Sequence, residues 1–132
     1  VPFKNAHFLI TGVAPLSNEL KKKYRAPSAF DSMQHAMSKE HVTVSCDPVN
    51  PGDTHQEPPI MPSRFLAAWA SWRGRYQTYE VEEVLRSLQK PGSRFEKYFP
   101  DWIPNAVASS IVSVPHCEVG ECLGLTSNNT AV

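Results

Sequence analysis

The sequence predicts an α/β fold of the α+β kind: a mixed sheet of about four strands with two main helices packed on it. Three observations predict it. Apolar runs of strand length recur at residues 4–11, 64–76, 106–114 and 123–127. Between the first three lie two stretches whose apolar residues repeat at helical spacing. The total of 132 residues suits one domain with a modest core. A helix between two strands allows them to pair in parallel, and the last two strands are close enough in sequence to form a hairpin.

The first strand, residues 4–11, contains the apolar run His7-Phe8-Leu9-Ile10 and reads as buried on both sides, with His7 as a core histidine. Gly12 breaks the run, and Pro15 keeps the chain irregular through residue 26. Pro27-Ser28 opens a helix, with Ser28 as cap and Asp31 in the first turn; Phe30, Met33 and Met37 form its apolar face. Val42-Thr43-Val44-Ser45-Cys46 is a short extended piece, an edge or a connection, ended by Asp47-Pro48. Residues 48–62 are Pro-rich and read as a surface loop.

Residues 64–76 are nearly continuous in Phe65, Leu66, Ala67, Ala68, Trp69, Ala70 and Trp72, the pattern of a central strand covered on both faces. Thr78 can cap the next helix, with Glu80, Glu82 and Glu83 near its start. Val81, Val84, Leu85 and Leu88 fall at i, i+3, i+4 and i+7, and Pro91-Gly92 ends the helix. An aromatic loop at 95–105 leads to the strand 106–114, a turn at 117–121 and the last strand 123–127.

Lys plus Arg equals Asp plus Glu at 13 each, which argues against a general nucleic-acid binder. No apolar run approaches the ~20 residues of a membrane-spanning helix. The start has neither initiator Met nor signal-peptide layout, the end stops where Thr130 could cap a helix, and both ends look cut. The expectation is one domain, residues 1–132, of a longer chain. Three cysteines, Cys46, Cys117 and Cys122, leave an odd one and favour a reduced cytoplasmic setting. The sequon Asn128-Asn129-Thr130 is read as chance.

Residues 6–26 form the organising stretch. A strand delivers a loop carrying Glu19, Lys21-Lys22-Lys23 and Tyr24-Arg25, a cationic contact device with an aromatic residue near its end. The bland alternative is a solvated charge run. His7-Phe8-Leu9-x-x-Gly12-x-Ala14-Pro15-Leu16 followed by Tyr24-Arg25-Ala26 is similar to the strand and lateral-contact loop of tubulin. Four further motifs follow in order: Cys46-Asp47-Pro48, Trp72-Arg73-Gly74-Arg75 in place of an FRGR-like strand end, Trp102-Ile103-Pro104-Asn105, and Asn128-Asn129-Thr130. Together they cover nearly the whole chain and resemble the tubulin family, most closely its beta pattern. The resemblance implies the intermediate domain, of the tubulin/FtsZ second-domain type, that follows the GTP-binding domain. A long segment at 51–63, a slightly long loop after Leu88 and the basic Lys21-Lys22-Lys23 depart from that pattern. They leave the subtype open between a beta chain, a divergent paralogue and a prokaryotic tubulin.

What the resemblance implies for individual residues follows from those matches. Lys21, Lys22, Lys23, Tyr24 and Arg25 would make the lateral contact, the basic residues steering it towards an acidic partner. Phe99, Trp102, Pro104 and Asn105 would make the end-to-end contact, or else a satellite core cluster. Pro15, Leu16, Ser17 and Pro115 match a taxane-like pocket. Trp69, Ser71, Ala106 and Ala108 match a colchicine-like pocket, which the bulk of Trp69 would partly fill. The resemblance implies GTP and Mg²⁺ bound by the parent outside this segment, because the family's phosphate loops precede it; within the segment Gly12 stands alone and precedes no helix. The domain alone would not be an enzyme; hydrolysis would be completed between subunits.

The implied protein is a structural subunit of a cytoplasmic, cytoskeletal filament, a microtubule or one like it. Its partners would be other tubulin subunits, with no nucleic acid and no membrane. The competing reading is a standalone α/β interaction module that docks an acidic partner through its basic loop. A third is a small thiol enzyme using Cys46 with His41, or Cys117. Metal binding by His116, Cys117, Glu118, Glu121 and Cys122 is disfavoured because a second ligand pair is missing.

Overall fold

The computed structural model describes residues 1, 4–5, 7–16, 28–38, 40–44, 64–93, 95–102, 106–115 and 120–130. In chain order the elements are β1 (Leu9–Ala14), α1 (Ala29–Ala36), β2 (Phe65–Arg73), α2 (Thr78–Gln89), a 3₁₀ turn (Glu96–Tyr98), β3 (Val107–Val112) and β4 (Cys122–Asn129). The four strands make one mixed sheet in the order β1-β4-β2-β3. β2 and β3 are parallel, joined by α2, and β4 runs antiparallel to both β1 and β2. So β1, β2 and β3 point one way and β4 alone points back.

The expected hairpin between the last two strands does not form. β4 lies between β1 and β2, where it pairs on both flanks and buries Leu123 and Leu125. On the far side of β3 it would pair along one flank only and leave its other edge open.

β1 is shifted from the expected 4–11, and Gly12 lies inside it rather than breaking it. The reason is packing. A Cβ on Gly12 would meet the carbonyl oxygen of Ala36 at 2.5 Å, so the glycine lets α1 lie close on the strand. Nor is β1 buried on both sides. Ile10, Gly12 and Ala14 face inward while Leu9, Thr11 and Val13 are exposed. His7 is exposed too, so it is not a core histidine. Beyond β1, Val13 N–H donates to His41 O (3.1 Å) and Thr43 N–H to Thr11 O (2.9 Å), with a bridge between Gly12 and Val42. The piece at Val42 is therefore an extended connection along this edge.

α1 starts as its sequence indicates: the Ser28 hydroxyl accepts from Asp31 N–H at 3.1 Å. Met33 and Met37 are buried, and Phe30 packs against Phe95 with ring centroids 5.3 Å apart. α2 buries Val81, Val84 and Leu88, one face of the expected helix. Its first bond runs from Val81 N–H to Gln77 O, so Gln77 holds the cap position and Thr78 is already helical. Pro91 and Gly92 follow the helix end at Lys90, and Gly92 takes a φ of +80°.

Both helices pack on the same face of the sheet. There the core gathers Met33, Ala36, Met37, Ala70, Trp72, Val81, Leu88, Phe95, Phe99, Leu123 and Leu125. β2 is central but is not covered on both faces. Its outward residue Trp69 is 50% exposed, because the apolar run serves a two-layer rather than a three-layer fold. Asn128 and Asn129 are buried in β4, and Asn128 Nδ2 donates to Phe8 O at 2.9 Å. A sequon asparagine held this way is inaccessible in the folded chain. Thr130, expected as a helix cap, is instead tied to β2: its hydroxyl accepts from Arg64 N–H at 2.8 Å.

Candidate functional site

The basic loop is framed by two described elements. The chain leaves β1 at Ala14, passes a cis Ala14–Pro15 peptide, and re-enters at the Ser28 cap of α1. Ser17, Lys21, Lys22, Lys23, Tyr24 and Arg25 lie outside the described residues, as do Pro104, Asn105, Cys46, Cys117 and residues 51–63. Leu16 and Pro115 are exposed and Pro15 is half-buried. β1 and β3 are parallel, so Pro15, Leu16 and Pro115 follow strand ends on one side of the sheet, at opposite edges of it.

The aromatic loop separates into two roles. Phe95 and Phe99, at a spacing of four across the 3₁₀ turn, both point into the core, and Phe99 is only 3% exposed. Trp102 is 69% exposed. A contact at this end of the molecule is therefore available to Trp102 but not to the Phe99 side chain.

The open face of the sheet brings most of the second residue set together. Trp69 is in register with Ala108 on β3 and Thr126 on β4, and Ser71 with Ser110 and Gly124. Strand alternation puts Trp69, Ser71, Ala108 and Val112 on this face, with Leu9, Thr11 and Val13 across β4. Leu9, Val13, Trp69 and Val112 are all large exposed hydrophobic residues. Sequence reasoning missed this face as a surface. The small or hydroxylated residues at every second position, Thr11, Ser71, Ser110, Gly124 and Thr126, were the available signal.

Concavities among the described residues also lie elsewhere. One, of about 600 Å³, is lined by Gln34, Arg64, Ser93, Phe95, Glu96, Tyr98 and Asp101. A groove of about 400 Å³ between α1 and α2 is lined by Ser28, Phe30, Glu80, Glu83, Val84 and Ser87 among others. Among the described residues no three His, Cys, Asp or Glu side chains come together in a metal-binding group. Cys122 is a free, half-buried thiol.

His41 stacks on His35 (5.4 Å between centroids), and its Nδ1 lies 2.8 Å from Ser38 Oγ. Ser38 commits its one proton to His35 O at 2.7 Å. His41 Nδ1–H must then donate to the Ser38 oxygen. This is a clip closing the turn after α1, not an activated hydroxyl.

Tyr76 has a displaced titration. It is buried, meets Trp72 edge-on at 5.0 Å, and lies 3.1 Å from Ser32 Oγ. Burial holds its phenol above the ordinary value of 10.0; Ser32 opposes the shift and the charges of Glu121, Cys122 and Glu80 add to it. With the folded value above the unfolded one, the Tyr76 contribution to stability is full below about pH 10 and is lost as pH rises through the folded value. Urea unfolding of wild type and Tyr76→Phe, from about pH 8 to 11, should show a steeper alkaline loss in wild type. Equal slopes would mean that the phenol titrates alike in both states.

No described helix opens on a glycine-rich turn that would cradle phosphate. α1 begins after Ser28 and α2 after Gln77. No described helix is long and apolar enough to cross a membrane. The arrangement offers contact surfaces at the described positions: the exposed Trp102, the open sheet face and the exit of β1 towards the basic loop. Residues 5–132 match the family described as the tubulin C-terminal domain.

Proposed function

The chain belongs to the tubulin family, and from that premise we propose that it is the contact-making domain of a GTP-dependent filament subunit. The family match over residues 5–132 is the observation that carries this reading. In it, the loop bearing Lys21, Lys22, Lys23, Tyr24 and Arg25 docks a neighbouring protofilament. Trp102, with Pro104 and Asn105, meets the next subunit end to end. The bracketing of the loop by β1 and the capped α1 supports the first role, because both of its ends are anchored on the core. The 69% exposure of Trp102 supports the second.

The rest of the parent subunit would lie against the open sheet face, where Leu9, Val13, Trp69 and Val112 form an apolar surface. GTP and Mg²⁺ belong to that remainder; no residue of this chain is assigned to them. Small-molecule pockets at Pro15, Leu16, Ser17 and Pro115, and at Trp69, Ser71, Ala106 and Ala108, belong to the same proposal. The half-exposed Trp69 ring occupies part of the second.

GTP-dependent pelleting of the full-length protein, wild type against Tyr24→Ala, tests the reading. Wild type should assemble, and the variant should keep single protofilaments while losing sheets or tubes. A parent that neither binds GTP nor polymerises would leave the chain as an interaction module for an acidic partner.

A further inference from the structure

We propose that the outer edge of β3, unpaired among the described residues, is a self-pairing surface, on which β3 of a second copy adds antiparallel to join the two sheets into one. The two edges of the sheet differ. β1 is already lined by residues 41–43 through backbone hydrogen bonds. β3 pairs only with β2 among the described residues, and Ala108, Ser109, Ile111 and Val112 are exposed. Residues 106–115 contain no charge, and the only proline, Pro115, lies beyond the strand. β3 thus lacks the lysines, prolines and bulges with which edge strands are usually protected.

The backbone fixes which residues are free to pair. Ala106 O accepts from Ala68 N–H (3.0 Å) and Val112 O from Gly74 N–H (2.9 Å). Even-numbered residues of β3 therefore direct their backbone groups to β2. By alternation Val107, Ser109 and Ile111 direct theirs to the open edge. A two-fold axis perpendicular to the sheet requires paired positions to have an even sum, since facing residues must share a face. Centred on Ser109, it pairs Ser109 with itself and Val107 with Ile111, so all three outward residues bond, with about six hydrogen bonds in total. Centred on Ser110, only Ser109 and Ile111 pair within the strand.

The Ser109 register also sets β-branched Val107 against β-branched Ile111 on the helix-bearing face, and small Ala108 against Ser110 on the open face. A second copy is the occupant this pattern favours. The strand matches itself and opposes no like charges, and it offers no charge with which to steer a charged partner.

Cysteine cross-linking tests the register in the full-length protein, without GTP so that filament growth is read separately. Cys46, Cys117 and Cys122 are replaced by serine, and cross-links are mapped by mass spectrometry. Facing residues of an antiparallel pair have Cα atoms about 4.5–5.5 Å apart, within disulfide range. Ser109→Cys alone should give a covalent dimer, and so should Ala108→Cys mixed with Ser110→Cys. Ala108→Cys alone should give roughly tenfold less, its copies being diagonal. Ser109→Pro removes an outward N–H without touching the β2 ladder, and should weaken dimerisation at least about tenfold in sedimentation while circular dichroism is unchanged. Ser109→Lys replaces it if the proline variant does not fold. A monomer at all concentrations, or cross-linking through Ser110→Cys alone in preference to Ser109→Cys, overturns the proposal.

Discussion

Replacing Gly74 by alanine is expected to cost roughly 3–5 kcal/mol of folding stability. Two penalties add at this position. Its φ is +114°, a conformation that residues with a Cβ rarely adopt. A Cβ there would also overlap the backbone carbonyl oxygen of Gly120, and would lie 2.9 Å from the Cα of Glu121. Neither neighbour is a side-chain end that can swing away. Gly74 turns the chain out of β2 just where the approach to β4 passes, so relief would have to come from moving one of the two central strands. Urea unfolding at neutral pH reads the loss directly. A change of less than about 1 kcal/mol would mean that the Gly120 segment shifts freely, against this packing. Gly92 provides the contrast. Its φ is also positive, at +80°, but a Cβ there would meet nothing within 4 Å. Its alanine variant should lose only the smaller conformational part.

The second large effect belongs to Trp72. It is completely buried in the central strand and meets Tyr76 edge-on at 5.0 Å. Trp72→Ala should cost about 3–5 kcal/mol, through lost transfer energy and the cavity left behind. Trp72→Phe should cost much less, about 1–2 kcal/mol. The smaller ring keeps the aromatic contact, and the indole N–H has no hydrogen-bond partner among the described residues to lose. The pair of variants is informative because the two explanations for a buried tryptophan diverge here. If the phenylalanine variant is as damaged as the alanine one, the indole nitrogen has an acceptor after all.

Much of the fold was legible in the residues. The spacing of Val81, Val84 and Leu88 marked α2, because a helix half-buried on a sheet needs one apolar stripe and polar residues elsewhere. Ser28 and Asp31 marked the start of α1 for a reason equally local, the need of the first backbone N–H groups for an acceptor. Strand order was not legible. The proximity of β3 and β4 in sequence suggested a hairpin, whereas the long-range ladders of β4 with β1 and β2 decided its place. The face pattern was only half legible. In β1 and β2 large apolar residues sit on both sides, so the run itself could not distinguish a strand buried twice from one with an apolar surface. Among the candidate contact residues the same ambiguity applied to Phe99 and Trp102, both aromatic and three positions apart. The 3₁₀ turn that sends one inward and leaves the other in solvent is set by packing against Phe65 and Phe95, which no local pattern announces.

The place of β4 has a consequence for the order in which the molecule can be assembled. Every rung between β1 and β4 joins positions more than a hundred residues apart; Ala14 with Leu123 is the nearest. A ribosome releases β1 long before the strand that will hold it, and β2 emerges with its inner flank equally unclaimed. β2, α2 and β3 can associate early as a self-contained unit. The two halves of the sheet can be joined only when the interior strand, the last of the four to be synthesised, slides between them. A nascent chain therefore carries an open slot with hydrogen-bonding walls until β4 emerges, a topology that folds slowly because loop closure precedes the reward. The most buried strand of the finished sheet is the latest to arrive.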